Sequence, residues 1–272
     1  MKTKTSFLIN KNKINFVQTL MCGQIFSYKK TETGFLIFSA NKKAEMIECE
    51  KNYKIITNDC NYFENFFDLE TNYDAIKLEL GKEKILEGPI NFGGGIRILK
   101  QDLLEVIISF VISANNNIKR ITDILFRMRE KFGENMGDFF AFPTLENLAN
   151  ITEQDFRELG AGYRSPQLFK LIKQLQNANF QDWKDLKTDL LRSKLIELSG
   201  IGPKVADCIL LFGYGKTDVF PVDTWIEKVY NHYYGASKNR VLIRKELTEK
   251  FKNLSGYAQQ YLFYYQRSFE EK

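Results

Sequence analysis

Residues 198–206 read Leu198-Ser199-Gly200-Ile201-Gly202-Pro203-Lys204-Val205-Ala206. A helical repeat of leucines (186, 190, 191, 195) runs into Leu198, after which Gly200 and Gly202 are expected to supply backbone angles that other residues resist. Pro203 suits a first helical position, because the N–H it lacks would have had no partner there. The segment predicts a helix, a tight turn and a second helix, a helix-hairpin-helix spanning about 190–214. Exposed amides at Gly200 and Gly202, together with the second helix's N-terminus, make a sequence-independent seat for a DNA phosphate. An ordinary pair of packed helices would use the same glycines only to turn the chain.

Lys204 falls in the first turn of the second helix, where the positive end of the helix dipole opposes an ammonium. Partial burial would lower its pKa further and leave free amine able to act as a nucleophile. Most lysines at helix starts are solvated surface charges, so Lys204 gains its interest from Phe220-Pro221-Val222-Asp223-Thr224-Trp225 downstream. Asp223 stands where a new helix begins, and its carboxylate can accept backbone N–H bonds as a cap. Thr224 with Glu227 also fits a capping box, which leaves the boundary open by one residue.

Composition removes other chemistries. The chain has 272 residues, 44% hydrophobic and 27% charged, which suits one large or two ordinary globular domains. No apolar run approaches the ~18 residues of a membrane span, and the N-terminal stretch has no apolar segment followed by a cleavage site, so a cytoplasmic protein is expected. Four cysteines (22, 49, 60, 208) are too scattered for a disulfide framework or a C-x₂-C metal site. With one histidine, His232, a His-centred metal site is excluded. The net charge of +5 permits a nucleic-acid partner without indicating one.

Two textures divide the chain. Up to about residue 60, short β-rich runs such as Phe35-Leu36-Ile37-Phe38 and Tyr53-Lys54-Ile55-Ile56 alternate with turn-forming residues. Beyond that the apolar spacing becomes helical, as in Leu103, Val106, Ile107 and Phe110. The expected fold class is α+β: a small antiparallel β-sheet domain with short helices (1–98), then a mostly α-helical domain (99–272) with its site in a cleft between helical layers.

The hairpin L-x-G-I-G-x-K-x-A followed by Val219-Phe220-Pro221-Val222-Asp223 resembles the helix-hairpin-helix and Gly/Pro-Asp signature of the base-excision DNA glycosylase superfamily. A lysine at Lys204 is similar to the bifunctional members, which join glycosylase and lyase activity. The endonuclease III branch carries a cysteine-ligated iron-sulfur cluster after this region, and this chain has no cysteine beyond Cys208.

Four further segments resemble the 8-oxoguanine DNA glycosylase family. Cys22-Gly23-Gln24-Ile25-Phe26 looks like its G-Q-x-F segment, which implies that the Gly23 carbonyl accepts the N7–H present on the oxidised base and absent from guanine. An unmatched buried acceptor facing guanine would cost about 1–3 kcal/mol. Ser113-Ala114-Asn115-Asn116-Asn117-Ile118-Lys119-Arg120 and Leu159-Gly160-Ala161-Gly162-Tyr163-Arg164 are the second and third matches. By resemblance Asn115, Arg120 and Arg164 contact the cytosine left unpaired, while Tyr163 wedges into the vacated stack; contact with phosphate or solvent is the plainer use of the arginines. In the fourth, Gly256-Tyr257-Ala258-Gln259-Gln260-Tyr261-Leu262-Phe263, the resemblance implies that Phe263 and Cys208 sandwich the extruded base and Gln259 reads its pairing edge. The same aromatics would also serve as a core stripe. Animal members carry a histidine just after the V-D pair, a place approached here only by Thr224, which with Gly200 and Gly202 is assigned to DNA phosphate.

The resulting expectation is a bifunctional DNA glycosylase/AP lyase that excises 8-oxoguanine opposite cytosine from duplex DNA. Lys204 would be the nucleophile and Asp223 would stabilise the cationic sugar while keeping Lys204 deprotonated. The protein would act as a monomer with no cofactor or metal, nucleoid-associated if prokaryotic. The alternatives are a glycosylase for another oxidised or alkylated base and a non-catalytic helix-hairpin-helix DNA-binding module.

Overall fold

The computed structural model describes residues 5–270, so the first lysines of the N-terminal stretch lie outside the described residues. Five strands, β1 (Thr5–Asn10), β2 (Tyr28–Lys30), β3 (Gly34–Ser39), β4 (Lys42–Glu48) and β5 (Asn52–Thr57), form one antiparallel sheet in the order β1-β5-β4-β3-β2. Side chains alternate across a strand, so Phe35, Met46 and Ile55, paired across β3, β4 and β5, are buried on one face. Helices α1 (Phe16–Met21) and α2 (Cys60–Phe66) cover that face with Phe16, Phe63 and Phe66.

The remainder is mostly helical: α3 (Tyr73–Leu80), α4 (Lys84–Gly93), α5 (Leu103–Ser113), α6 (Ile118–Phe132), α7 (Glu153–Glu158), α8 (Ser165–Gln176), α9 (Thr188–Ile196), α10 (Pro203–Phe212), α11 (Thr224–Tyr233), α12 (Arg240–Phe251) and α13 (Ser255–Glu270). The helix α5 is apolar nearly all round and buried from Leu103 to Ile112, which makes it the centre of the core it shares with α6, α8, α9 and α10. A second core joins Cys22, Leu86 and Ile96 to Phe220, Ile226 and Tyr261. Residues from the N-terminal third thus share a core with α11–α13, across the expected 98/99 division. Glu105 on α5 pairs with Arg129 on α6 at 2.5 Å and also accepts from Ser27 Oγ and the Ala40 N–H, which fastens the sheet to the helices.

The hairpin joins α9 to α10. Gly200 has φ +82°, and a Cβ there would stand 2.9 Å from Val111 Cγ1, so both backbone angle and packing call for glycine. Gly202 departs from expectation: its φ of −92° is open to any residue. It is exposed, and a Cβ there would meet nothing within 4 Å, leaving the turn surface bare for an approaching partner. Leu190, counted in the apolar repeat, is 52% exposed, while Leu191 and Leu195 carry the buried face of α9.

Candidate active site

Lys204 and Asp223 line one cleft of about 1110 Å³. Pro203 starts α10 and puts Lys204 in its first turn; Asp223 caps α11, its Oδ1 accepting from the Trp225 and Ile226 N–H groups at 3.0 Å each. The cap lies at Asp223, which settles the boundary left open by Thr224 and Glu227. Glu227 instead pairs with Arg240 at 2.7 Å. Thr224 is exposed on the same cleft.

The protonation of Lys204 differs from expectation. Burial disfavours its ammonium, but the neighbouring Cys208 and Asp223 side chains, the first also hydrogen-bonded to Lys204, outweigh burial and raise its pKa above the ordinary lysine value. A carboxylate beside an ammonium stabilises it, so Asp223 holds the proton on Lys204 and does not keep the amine free. Burial pushes the Cys208 thiol up to about 11, so near neutral pH it is uncharged and acts on Lys204 as a hydrogen-bond partner. The Phe110 ring, 5.6 Å from Nζ, adds a further contact that favours the cation.

Gly23 and Phe263 line the same cleft. Gly23 has φ +83°, and a Cβ there would lie 3.2 Å from Phe263 Cε1 and 3.0 Å from Arg267 Nη1. Gln24 is buried and acts as a clamp: Nε2 donates to the Thr19 and Arg97 carbonyls and Oε1 accepts the Leu99 N–H. Cys208 and Gln259 are buried, 3% and 5% exposed, and are not among the residues that line the cleft; the Gln259 Oε1 has no hydrogen-bond partner among the described residues. A buried amide oxygen without a donor costs about 1–3 kcal/mol, a penalty that a ligand donor could relieve.

Asn115 and Arg120 form another part of the lining. Asn117 caps α6 by accepting the Arg120 N–H, while the Arg120 guanidinium, exposed, donates to the Gly160 carbonyl at 3.0 Å. Arg164 is placed differently. It is 2% exposed and donates to the carbonyls of Ala114 and Asn115, so it holds the turn in which Asn115 adopts φ +50°. Tyr163 stands 63% exposed with the Arg164 guanidinium 4.2 Å from its ring centroid.

Among the lining residues that sequence reasoning did not assign to the site are Phe110, Trp225, Arg240 and Arg267. Arg267 continues the i,i+4 ladder Gln259, Phe263, Arg267 along α13, a signal already present in the spacing. Arg240 reaches the cleft from the start of α12, where it pairs with Glu227.

Residues 108–253 match the HhH-GPD superfamily of base excision DNA repair proteins. The chain belongs to that superfamily. Residues 6–107 match the N-terminal domain of 8-oxoguanine DNA glycosylase, which identifies the branch. The glycosylase chain is 31% identical over 231 residues to a probable N-glycosylase/DNA lyase of Methanothermobacter thermautotrophicus, covering 75% of this chain and 72% of that protein. It is 28% identical to the N-glycosylase/DNA lyase of Saccharomyces cerevisiae, covering 90% and 75%. Its fold superposes on the 8-oxoguanine glycosylase/lyase of Clostridium acetobutylicum, solved with double-stranded DNA containing cytosine opposite 8-oxoguanine, with TM-score 0.91, 35% identity and coverage of 99% and 98%.

Proposed function

We propose that this glycosylase excises 8-oxoguanine opposite cytosine from duplex DNA and cuts the strand through a lysine Schiff base. The observation that carries the reading is the meeting of Lys204, Asp223, Gly23 and Phe263 on one cleft. The Asp223 carboxylate stabilises positive charge on the sugar as the C1'–N9 bond breaks and its electron pair leaves with the base. Lys204 must shed a proton before its lone pair can form the C1'–Nζ bond, and the departing base, anionic as it leaves, is the acceptor at hand. Sugar opening then yields the Schiff base. Loss of a C2' proton expels the 3' phosphate, and water releases the amine.

Gly23 supplies the acceptor for the lesion's N7–H, and Gln259 offers its unpartnered oxygen to the pairing edge, the base entering between Phe263 and Cys208. Asn115, Arg120 and Arg164 serve the orphaned cytosine, Tyr163 the vacated stack, and Gly200, Gly202 and Thr224 the phosphates. For Arg164 that role requires exchanging the carbonyls it now holds. The protein acts as a monomer on DNA in the cytoplasm, at the nucleoid in a prokaryote; among the described residues no helix is long and apolar enough to cross a membrane. Borohydride reduction in the presence of an 8-oxoguanine:cytosine duplex tests the reading. A covalent adduct in the parent and none in Lys204→Gln supports it; an undiminished adduct in that variant overturns it.

A further inference from the structure

On α13, Gln259, Phe263 and Arg267 follow one another at i,i+4, and the last two line the cleft beside Gly23. Arg267 reaches from this helix to the end of α1, where Nη2 donates to the Met21 carbonyl. Gln260 Nε2 donates to the next carbonyl, that of Cys22, at 2.8 Å. Two successive carbonyls immediately before Gly23 are therefore clasped from α13. The Arg267 guanidinium also lies 5.2 Å from the centre of the Phe263 ring, and its Nη1 sits 3.0 Å from the place a Gly23 Cβ would take. One planar group thus packs beside both partners expected to meet the base, at a glycine whose φ is +83°.

We propose that Arg267 is a specificity-determining positioning residue, fixing the Gly23 peptide and the Phe263 ring in the register that receives an oxidised purine; the proposal rests on the reading of this cleft as a base-excision site. Arginine suits the task because its fork can donate to a carbonyl while its face packs on a ring. A lysine retains a donor and loses the plane.

The test separates recognition of the base from chemistry at the sugar. Single-turnover base release from an 8-oxoguanine:cytosine duplex is measured beside borohydride trapping on a duplex with a preformed abasic site opposite cytosine, which needs Lys204 and no base. In Arg267→Met, base release is expected to fall by about tenfold to a hundredfold, the scale of a small misplacement of reacting groups. Abasic-site trapping is unchanged, and Arg267→Lys falls between. Base release at the parent rate in Arg267→Met overturns the inference. So does a parallel fall of both activities, which marks a structural role only. A parent protein that traps abasic sites without releasing 8-oxoguanine overturns the substrate reading beneath it, and the parent arm shows this before any variant is made.

Discussion

The two walls of the cleft are built by different means. Lys204 and Asp223 come from consecutive helices, and each is placed by a local rule: a proline-started first turn for the lysine, an N-cap for the aspartate. Gly23 comes from the end of α1 while Phe263 and Arg267 come from α13, near opposite ends of the chain, joined by side chains that donate to the Met21 and Cys22 carbonyls. The wall that would do chemistry is placed by local rules. The wall that would choose the base depends on long-range contacts, so its changes should alter selectivity before they alter reactivity.

The largest effect falls on the chemical wall: Lys204→Gln abolishes the borohydride adduct on both lesion and abasic duplexes. Next, Asp223→Asn lowers base release by about 10²- to 10³-fold, the scale of removing one preorganised electrostatic group. Asparagine caps helices as well as aspartate, so α11 keeps its start and duplex binding is retained. Base release at the parent rate would reduce Asp223 to a cap and remove half of that wall.

Gly23→Ala probes the other side. Alanine at a positive φ carries about 1–2 kcal/mol of strain, and its Cβ would press on Phe263 and Arg267. Base release from 8-oxoguanine should fall about tenfold, equivalent to 1.4 kcal/mol, while abasic-site trapping persists. Equal loss of both activities would erase the distinction between the walls. In the parent, release opposite cytosine should exceed release opposite adenine, and Arg120→Ala should narrow the ratio by the ~1.5–3 kcal/mol of a charged hydrogen bond at most.

The smallest effect is a shift along the pH axis. Trapping on an abasic site needs the free amine, so its rate rises with pH towards the Lys204 pKa, which lies above the ordinary lysine value. Cys208→Ala removes a hydrogen-bonding neighbour that raises the Lys204 pKa, and the rising limb moves to lower pH. An unmoved limb assigns the effect to Asp223 alone.

The hairpin and the Asp223 cap were legible because capping and turn chemistry act within a few residues. The charge state of Lys204 was not: the helix dipole and burial both argue for a lowered pKa, and only the positions of Cys208 and Asp223 reverse the sign. Arg120 and Arg164 look alike in sequence, yet one is exposed on the cleft and the other is buried on two carbonyls, because only Arg164 lies under the turn at Asn115. Gly202 was assigned an unusual backbone that Gly200 alone adopts.

Sequence by itself determined the elements, because periodicity, caps and glycine turns are local free energies, and it singled out Lys204 and Asp223 through the resemblance of their segment to a bifunctional glycosylase signature. Tertiary structure alone decided which groups share a surface, how they titrate, and that α13 grips the carbonyls before Gly23. Those outcomes depend on distances between residues far apart in the chain, and both Coulomb energy and hydrogen bonding turn on separation in space rather than along the chain.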